Sequence, residues 1–148
     1  MLFRTHLLFS IFIYLLIVKL TSIEFSVLAI IFLLIGTLLP DIDHPKSFVN
    51  KHYLIGIGKV VSVFFEHRAF WHSIFGLILI FIGIYLLIVL TPLLNFLSSS
   101  LAFFLALGYF SHLLADSFTP SGITWLWKFG FRTRGFVRTG SLIENLFF

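Results

Sequence analysis

The 148-residue chain contains no cysteine, and charged residues make up only 11% of it. Without cysteine there is no disulfide, no thiolate nucleophile and no zinc–thiolate site, so any metal must be bound by His, Asp, Glu or backbone oxygen. A soluble domain carries roughly 25% charged residues, so this chain has too few to cover a water-exposed surface. It also lacks a basic stretch interleaved with exposed aromatics, so no nucleic-acid binding is indicated.

Hydrophobic residues make up 59% of the chain, and the mean hydropathy is +1.11. They form four runs, at about 7–20, 26–39, 74–90 and 101–118. A membrane-spanning helix needs about 20 residues, with a range of about 17 to 25. The last two runs qualify, and the first two reach this length only with their flanks. A cleaved signal peptide is the alternative for the first run, but that run lacks a small-residue cleavage site.

We therefore predict one domain, residues 1–148, with an all-α fold. It is expected to be a polytopic membrane protein with four transmembrane helices, a short helical loop and an interfacial C-terminal tail. Basic residues orient it, because they concentrate before the first run, between the second and third, and after the fourth. By the positive-inside tendency, both termini and the long middle loop are cytoplasmic, which predicts a multi-pass protein of the cell (inner) membrane. The basic residues in these three places are Arg4, Lys46, Lys51, Lys59, Arg68, Lys128, Arg132, Arg134 and Arg138, and the other two connections hold only Lys19.

The second run ends in a short turn that carries three potential metal ligands, Asp41, Asp43 and His44. Pro40 and Pro45 enclose them, and proline restrains both its own backbone and that of the preceding residue. Carboxylates beside an imidazole suit a divalent cation. An ordinary helix end with a solvated acidic turn is the alternative.

Two further pairs lie next to apolar runs. His112 and Asp116 are four residues apart, so they share one helix face, and ionisable groups in an apolar span usually face the protein interior. His67 and His72 are five apart, and a break before a capping Ser73 would direct both inward. For His112 and Asp116, the alternative is a hydrogen-bonded pair at a helix end. For His67 and His72, the alternative is two interfacial histidines beside aromatic residues.

These groups all fall at the predicted cytoplasmic end of the runs, as does His6 at the start of the first. Such clustering predicts a single polar site.

In the tail, Gly140-Ser141-x-x-Glu144 is compatible with a capping box and, alternatively, with a metal ligand at Glu144. Asp41 and Asp116 are also the predicted catalytic carboxylates, and Arg68 is predicted to bind the anionic group of a substrate. The full predicted ligand set is His6, Asp41, Asp43, His44, His67, His72, His112, Asp116 and Glu144.

Together these motifs resemble the YdjM-like family of inner-membrane-associated, metal-dependent hydrolases, which includes a LexA-binding member. The resemblance covers nearly the whole chain. More distantly, the chain is similar to the superfamily of zinc-dependent phospholipases C and single-strand nucleases, which implies phosphoester hydrolysis. Ala69 and Trp71 stand where family members usually carry Gly and Thr, and members often have proline near Lys128. These departures affect the expected pocket shape but leave every predicted ligand in place.

The predicted function is hydrolysis of a phosphoester bond in a lipid or lipid-linked substrate by metal-activated water. Imidazole-rich sites without thiolates favour zinc first and manganese second, and two or three ions are expected. The expected partners are membrane lipid and a phosphate-bearing substrate. The alternatives are a non-enzymatic metal-ion carrier and a membrane assembly or regulatory partner. A carrier needs polar residues that continue to the far side of the membrane, and the runs offer few.

Overall fold

A computed structural model describes residues 1–43, 70–94, 100–142 and 144, and this part of the chain contains a bundle of four α-helices. Their bounds agree with the predicted runs to within a few residues, and the third run matches its helix at both ends. Ser26 begins the second helix as its N-cap, accepting a hydrogen bond from the Ala29 amide at 3.3 Å. A 3₁₀ turn, Leu39–Asp43, extends that helix. The helices are α1 (Phe3–Leu20), α2 (Val27–Leu38), α3 (Ile74–Leu90) and α4 (Ser100–Ser117).

Two of these helices, α1 and α4, are long and apolar enough to cross a membrane, at 18 residues each. The helix α2 with its extension to Asp41, and α3, are apolar but shorter, so the four-span topology stays a prediction. In α3, only Gly76 and Ile88 are buried, and apolar side chains such as Leu79 and Leu87 face outward. A helix that is apolar on its outer faces is expected where lipid covers it.

The helices α2 and α4 pack backbone against backbone through two glycines. A Cβ atom on Gly36 would collide with the carbonyl oxygen of Leu105, and one on Gly108 would collide with that of Leu33. Small residues at helix contacts allow this close approach in membrane proteins. The contact matters for function because the predicted ligand His112 lies one helical turn after Gly108.

The predicted break before α3 is present as a turn at residues 71–72. Ser73 occupies the N-cap position of α3, but its hydroxyl donates to the Phe70 carbonyl at 2.6 Å and makes no capping bond to the helix. The Tyr109 hydroxyl of α4 donates to the Trp71 carbonyl. This bond fixes the turn, and with it His72, against α4.

The tail departs from the all-α prediction because it contains a small antiparallel sheet. The strand β1 (Ile123–Thr124) pairs with β2 (Arg132–Thr133), and Ile123 lies opposite Thr133. A turn follows α4, and in it the Gly122 amide donates to the Thr119 carbonyl at 3.0 Å. Gly122 adopts a φ of +58°, and a Cβ there would collide with the Thr133 carbonyl oxygen. Glycine therefore permits the strands to meet.

Replacement of Gly108 by alanine should separate α2 from α4. We expect the free energy of unfolding in detergent to fall by about 1–3 kcal/mol, because the new methyl group overpacks a backbone contact. The measurement is thermal or denaturant unfolding of the purified protein. Gly83→Ala is the matched control, since nothing lies within 4 Å of a Cβ at that position of α3. Equal stability of the two variants would show that the close contact is unimportant.

Candidate metal centre

Five of the predicted ligands meet at one end of the bundle, although they come from four different segments. They form two overlapping groups, and within each group one ligand atom per residue lies within 4.8 Å of the others. The first group contains His6, His112 and Asp116, and the second contains Asp41, His72 and His112. The segments are the start of α1, the turn after α2, the turn before α3, and α4.

His112 is shared by both groups, and its two ring nitrogens have different surroundings. Nδ1 lies 2.8 Å from the carbonyl oxygen of Thr37. Because a carbonyl only accepts hydrogen bonds, Nδ1 carries the proton, and Nε2 of the neutral ring presents a lone pair. Nε2 lies 3.6 Å from Asp116 Oδ2 and 3.9 Å from Asp41 Oδ1. A lone pair facing two carboxylates is unfavourable unless a proton or a metal cation lies between them.

The other two histidines face the same carboxylates. His6 Nε2 lies 3.3 Å from Asp116 Oδ1, and His72 Nε2 lies 3.6 Å from Asp41 Oδ1 and 3.8 Å from Asp116 Oδ2. The His6 ring stacks on His112, with centroids 3.9 Å apart and planes inclined by 4°. Asp116 Oδ1 also accepts from the Met1 amino group at 3.0 Å, so the other oxygen, Oδ2, is the one directed at His72 and His112.

Burial distinguishes the floor of the site from its open side. His6, His72 and His112 are 4%, 3% and 1% exposed. The side chains of Asp116 and Asp41 are 14% and 32% exposed, so the carboxylates form the open side. Within the described residues, Nε2 of His112, Nδ1 of His6 and both ring nitrogens of His72 have no hydrogen-bond partner. Buried polar atoms without partners are destabilising, so this donor set fits a cation.

A layer of three hydroxyls lies next to the histidines and was not identified from the sequence. Ser10, Thr37 and Ser111 are all 0% exposed. The Thr37 and Ser10 hydroxyl oxygens lie 2.8 Å apart, and Ser10 also bonds to Ser111. The layer connects α1, α2 and α4 directly beneath the ligands. A signal was present, because Ser10 is four residues after His6 and Ser111 precedes His112.

The structure gives Glu144 a role other than the predicted one of metal ligand. Its Oε1 accepts from the Leu2 amide at 2.7 Å, and its Oε2 accepts from the Gly140 amide at 2.6 Å. The Ser141 hydroxyl accepts from the Glu144 amide at 3.3 Å, as the capping-box alternative requires. Both carboxylate oxygens are thus used by backbone amides, and the segment is joined to the start of α1.

The remaining predicted site residues are not placed. His44, His67 and Arg68 lie outside the described residues, as does the side chain of Asp43. Their roles as ligands, and that of Arg68 in binding an anionic group, stay predictions.

Comparison with known proteins relates nearly the whole chain to one family. The family model described as YdjM inner membrane protein matches residues 1–147. Inner membrane protein YdjM of Escherichia coli (strain K12) and that of Shigella flexneri are each 40% identical over 97 residues, covering 66% of this chain and 47% of the relative. The match thus spans about half the length of these relatives. Uncharacterized protein YvsG of Bacillus subtilis (strain 168) is 33% identical over 114 residues, covering 76% of this chain and 66% of that protein. No solved structure matches.

Glu144 predicts a pH dependence of stability. Burial raises the pKa of its carboxyl, but the hydrogen bonds from the Leu2 and Gly140 amides lower it, and the net pKa is below the ordinary value of 4.5. A carboxyl with a lowered folded-state pKa stabilises the fold above its unfolded pKa, and this stability is lost as pH falls. We expect wild-type unfolding temperature in detergent to decline below about pH 5.5.

The Glu144→Gln variant should be less stable at pH 7 by about 1–3 kcal/mol, because the amide NH₂ group then faces a backbone donor. It should also lose part of the decline at acid pH. Glu24→Gln is the control, since Glu24 is exposed between α1 and α2. Identical profiles for Glu144→Gln and wild type would refute this role.

Proposed function

This chain belongs to the YdjM inner membrane protein family, and we propose that it is a metal-dependent hydrolase whose centre lies at the cytoplasmic end of its helices. The observation that supports this most strongly is the orientation of His112. Its proton is directed to the Thr37 carbonyl at 2.8 Å, and its free nitrogen faces two carboxylates. Such a second hydrogen bond is what fixes the tautomer of a metal-ligating histidine.

The donor set indicates which cation is expected. Three imidazoles and two carboxylates without a thiolate favour zinc, with manganese second. Both groups use His112, and only its Nε2 is available because Nδ1 bonds to Thr37. We therefore propose one ion site formed by the described residues. A second or third ion would need ligands from Asp43, His44 or His67.

A divalent cation bound here would supply Lewis-acid chemistry and would lower the pKa of a water molecule to about 7. Side chains of the protein would then position this water molecule and the substrate beside the cation. We propose that Asp41, the most exposed of the five ligands, accepts a proton at the open side. Asp116 is held through Oδ1 by His6. The buried histidines exclude water from the floor, and Arg68 is proposed to bind the anionic group of the substrate.

The position of the site suggests the substrate class. His6 lies in the first turn of α1, and Asp116 is one residue from the end of α4. The ends of membrane helices lie at the headgroup layer, where phosphoesters of lipids and lipid-linked molecules are found. We therefore propose a phosphate-bearing lipid or lipid-linked substrate.

The carrier alternative is disfavoured by what lies beyond the hydroxyl layer. There the helices pack through an apolar cluster made of Tyr14, Ala29, Leu33, Leu101 and Phe104. Its one polar side-chain atom, the Tyr14 hydroxyl, is hydrogen-bonded to the Ser26 backbone, so the cluster offers an ion no chain of ligands towards the other face. A purely regulatory partner protein would leave the buried ligands without a role.

Replacement of His112 by alanine should remove both metal and activity. We expect detergent-purified wild type to contain zinc or manganese at one or more ions per chain and to hydrolyse a phosphodiester lipid. We expect the variant to lose metal occupancy and to turn over at least about 100-fold more slowly, since it lacks the shared ligand. Elemental analysis and phosphate-release assays on the same preparations measure both effects.

His52→Ala is the matched control, because it removes an imidazole outside the predicted ligand set. Full metal occupancy in His112→Ala would refute the site itself. Full occupancy in wild type without metal-dependent turnover on phospholipid or nucleotide phosphodiesters would refute the hydrolase and leave the carrier.

A further inference from the structure

The segment 118–138, here called the cationic hairpin, contains β1, β2 and a 3₁₀ turn at Trp127–Phe129. It is bound firmly to the end of α4. The Phe118 amide donates to the Ala115 carbonyl of α4 at 3.1 Å, and the Thr119 amide donates to the Asp116 carbonyl at 3.0 Å. The Val137 amide donates to the Phe118 carbonyl at 3.0 Å, which holds the last part of the hairpin against its start. The hairpin therefore lies at the same end of the bundle as Asp116.

The hairpin is also joined to α3. The amide of Ile74, the first residue of α3, donates to the Trp125 carbonyl at 2.9 Å. The Trp125 indole in turn donates to the Thr133 hydroxyl at 3.1 Å. Because His72 directly precedes α3, the hairpin and the candidate centre share a rigid connection.

Three phenylalanines of the cationic hairpin face outward. Phe129, Phe131 and Phe136 are 83%, 73% and 72% exposed. Large apolar side chains with this exposure are unfavourable in water. They lie just beyond a helix of membrane-spanning length, and aromatic side chains are typical of the membrane–water interface.

The charge of the same segment is entirely positive. Residues 117–143 contain one lysine, three arginines and no acidic residue, so they carry +4, equal to the net charge of the whole chain. Arg132, Arg134 and Arg138 are exposed and form no ion pair with any described residue. Arginines that are not neutralised by the protein attract an anionic surface.

We propose that the cationic hairpin docks on the anionic headgroups of the bilayer into which the helices insert, with Phe129, Phe131 and Phe136 seated at the headgroup level. The three arginines supply the electrostatic attraction, and the aromatic rings supply the apolar contact. This interaction is independent of the proposed hydrolase activity, since it uses none of the candidate ligands. It fixes the height of the end of α4 relative to the headgroups.

The absence of native cysteine allows a clean test with a nitroxide label at Leu126→Cys, a 42% exposed position next to the 3₁₀ turn of the hairpin that is not one of the three phenylalanines. The full-length labelled protein is reconstituted in vesicles of phosphatidylcholine alone and in vesicles that also contain phosphatidylglycerol. Electron paramagnetic resonance then measures label accessibility to oxygen and to a water-soluble nickel complex. We expect the label to shift from nickel-accessible to oxygen-accessible when phosphatidylglycerol is present, and the shift to shrink at high salt.

The combined variant Arg132→Gln, Arg134→Gln and Arg138→Gln should lose this shift, whereas the corresponding Arg→Lys variant should keep it, because a surface potential acts on charge. Lys19→Gln, an exposed position at the other end of α1, is the control and should behave as wild type. A label equally water-exposed in both lipid mixtures would overturn the proposal. So would a lipid-dependent shift that survives the three glutamines.

Discussion

The candidate centre depends on one hydrogen bond, between the Thr37 carbonyl and Nδ1 of His112. It fixes the tautomer of a histidine that is 1% exposed and directs the other nitrogen at Asp41 and Asp116. In such a buried position, charged and polar groups are unfavourable unless they are compensated. The arrangement supports the proposed cation site, for which the two overlapping groups of three ligands are the candidates. The stacking of His6 on His112 brings the start of α1 to the same site.

Small residues make this geometry possible. Gly36 and Gly108 bring α2 and α4 into backbone contact, which places Thr37 beside His112. The hydroxyls of Ser10, Thr37 and Ser111 add α1 to the same layer. In lipid, where burial of apolar surface drives association weakly, close packing and interhelical hydrogen bonds of this kind hold helices together. The residues that support the site thus also stabilise the bundle.

Much of the site could be predicted from local patterns. The spacing of His112 and Asp116 follows from helix geometry alone, and the break that turns His72 inward is signalled by the residues before Ser73. The capping bond between Ser141 and Glu144 was one of the alternatives read from the sequence. The bond from the Leu2 amide to Glu144 and the pairing of β1 with β2 could not be predicted in the same way, because both depend on contacts outside the local sequence pattern. Strands of two residues are too short to show the alternating pattern of apolar and polar residues that predicts a strand. The hydroxyl layer has a periodic signal, but its meaning appears only when three helices are brought together.

X-ray absorption spectroscopy at the zinc edge tests the central claim most directly, because it reports the atoms around the ion itself. The purified protein, loaded with one zinc ion per chain, should show a nitrogen and oxygen shell. It should also show outer-shell scattering from imidazole rings that decreases in His72→Ala. A spectrum of zinc bound only by water or other oxygen ligands, unchanged by that substitution, would contradict a cation site formed by these histidines.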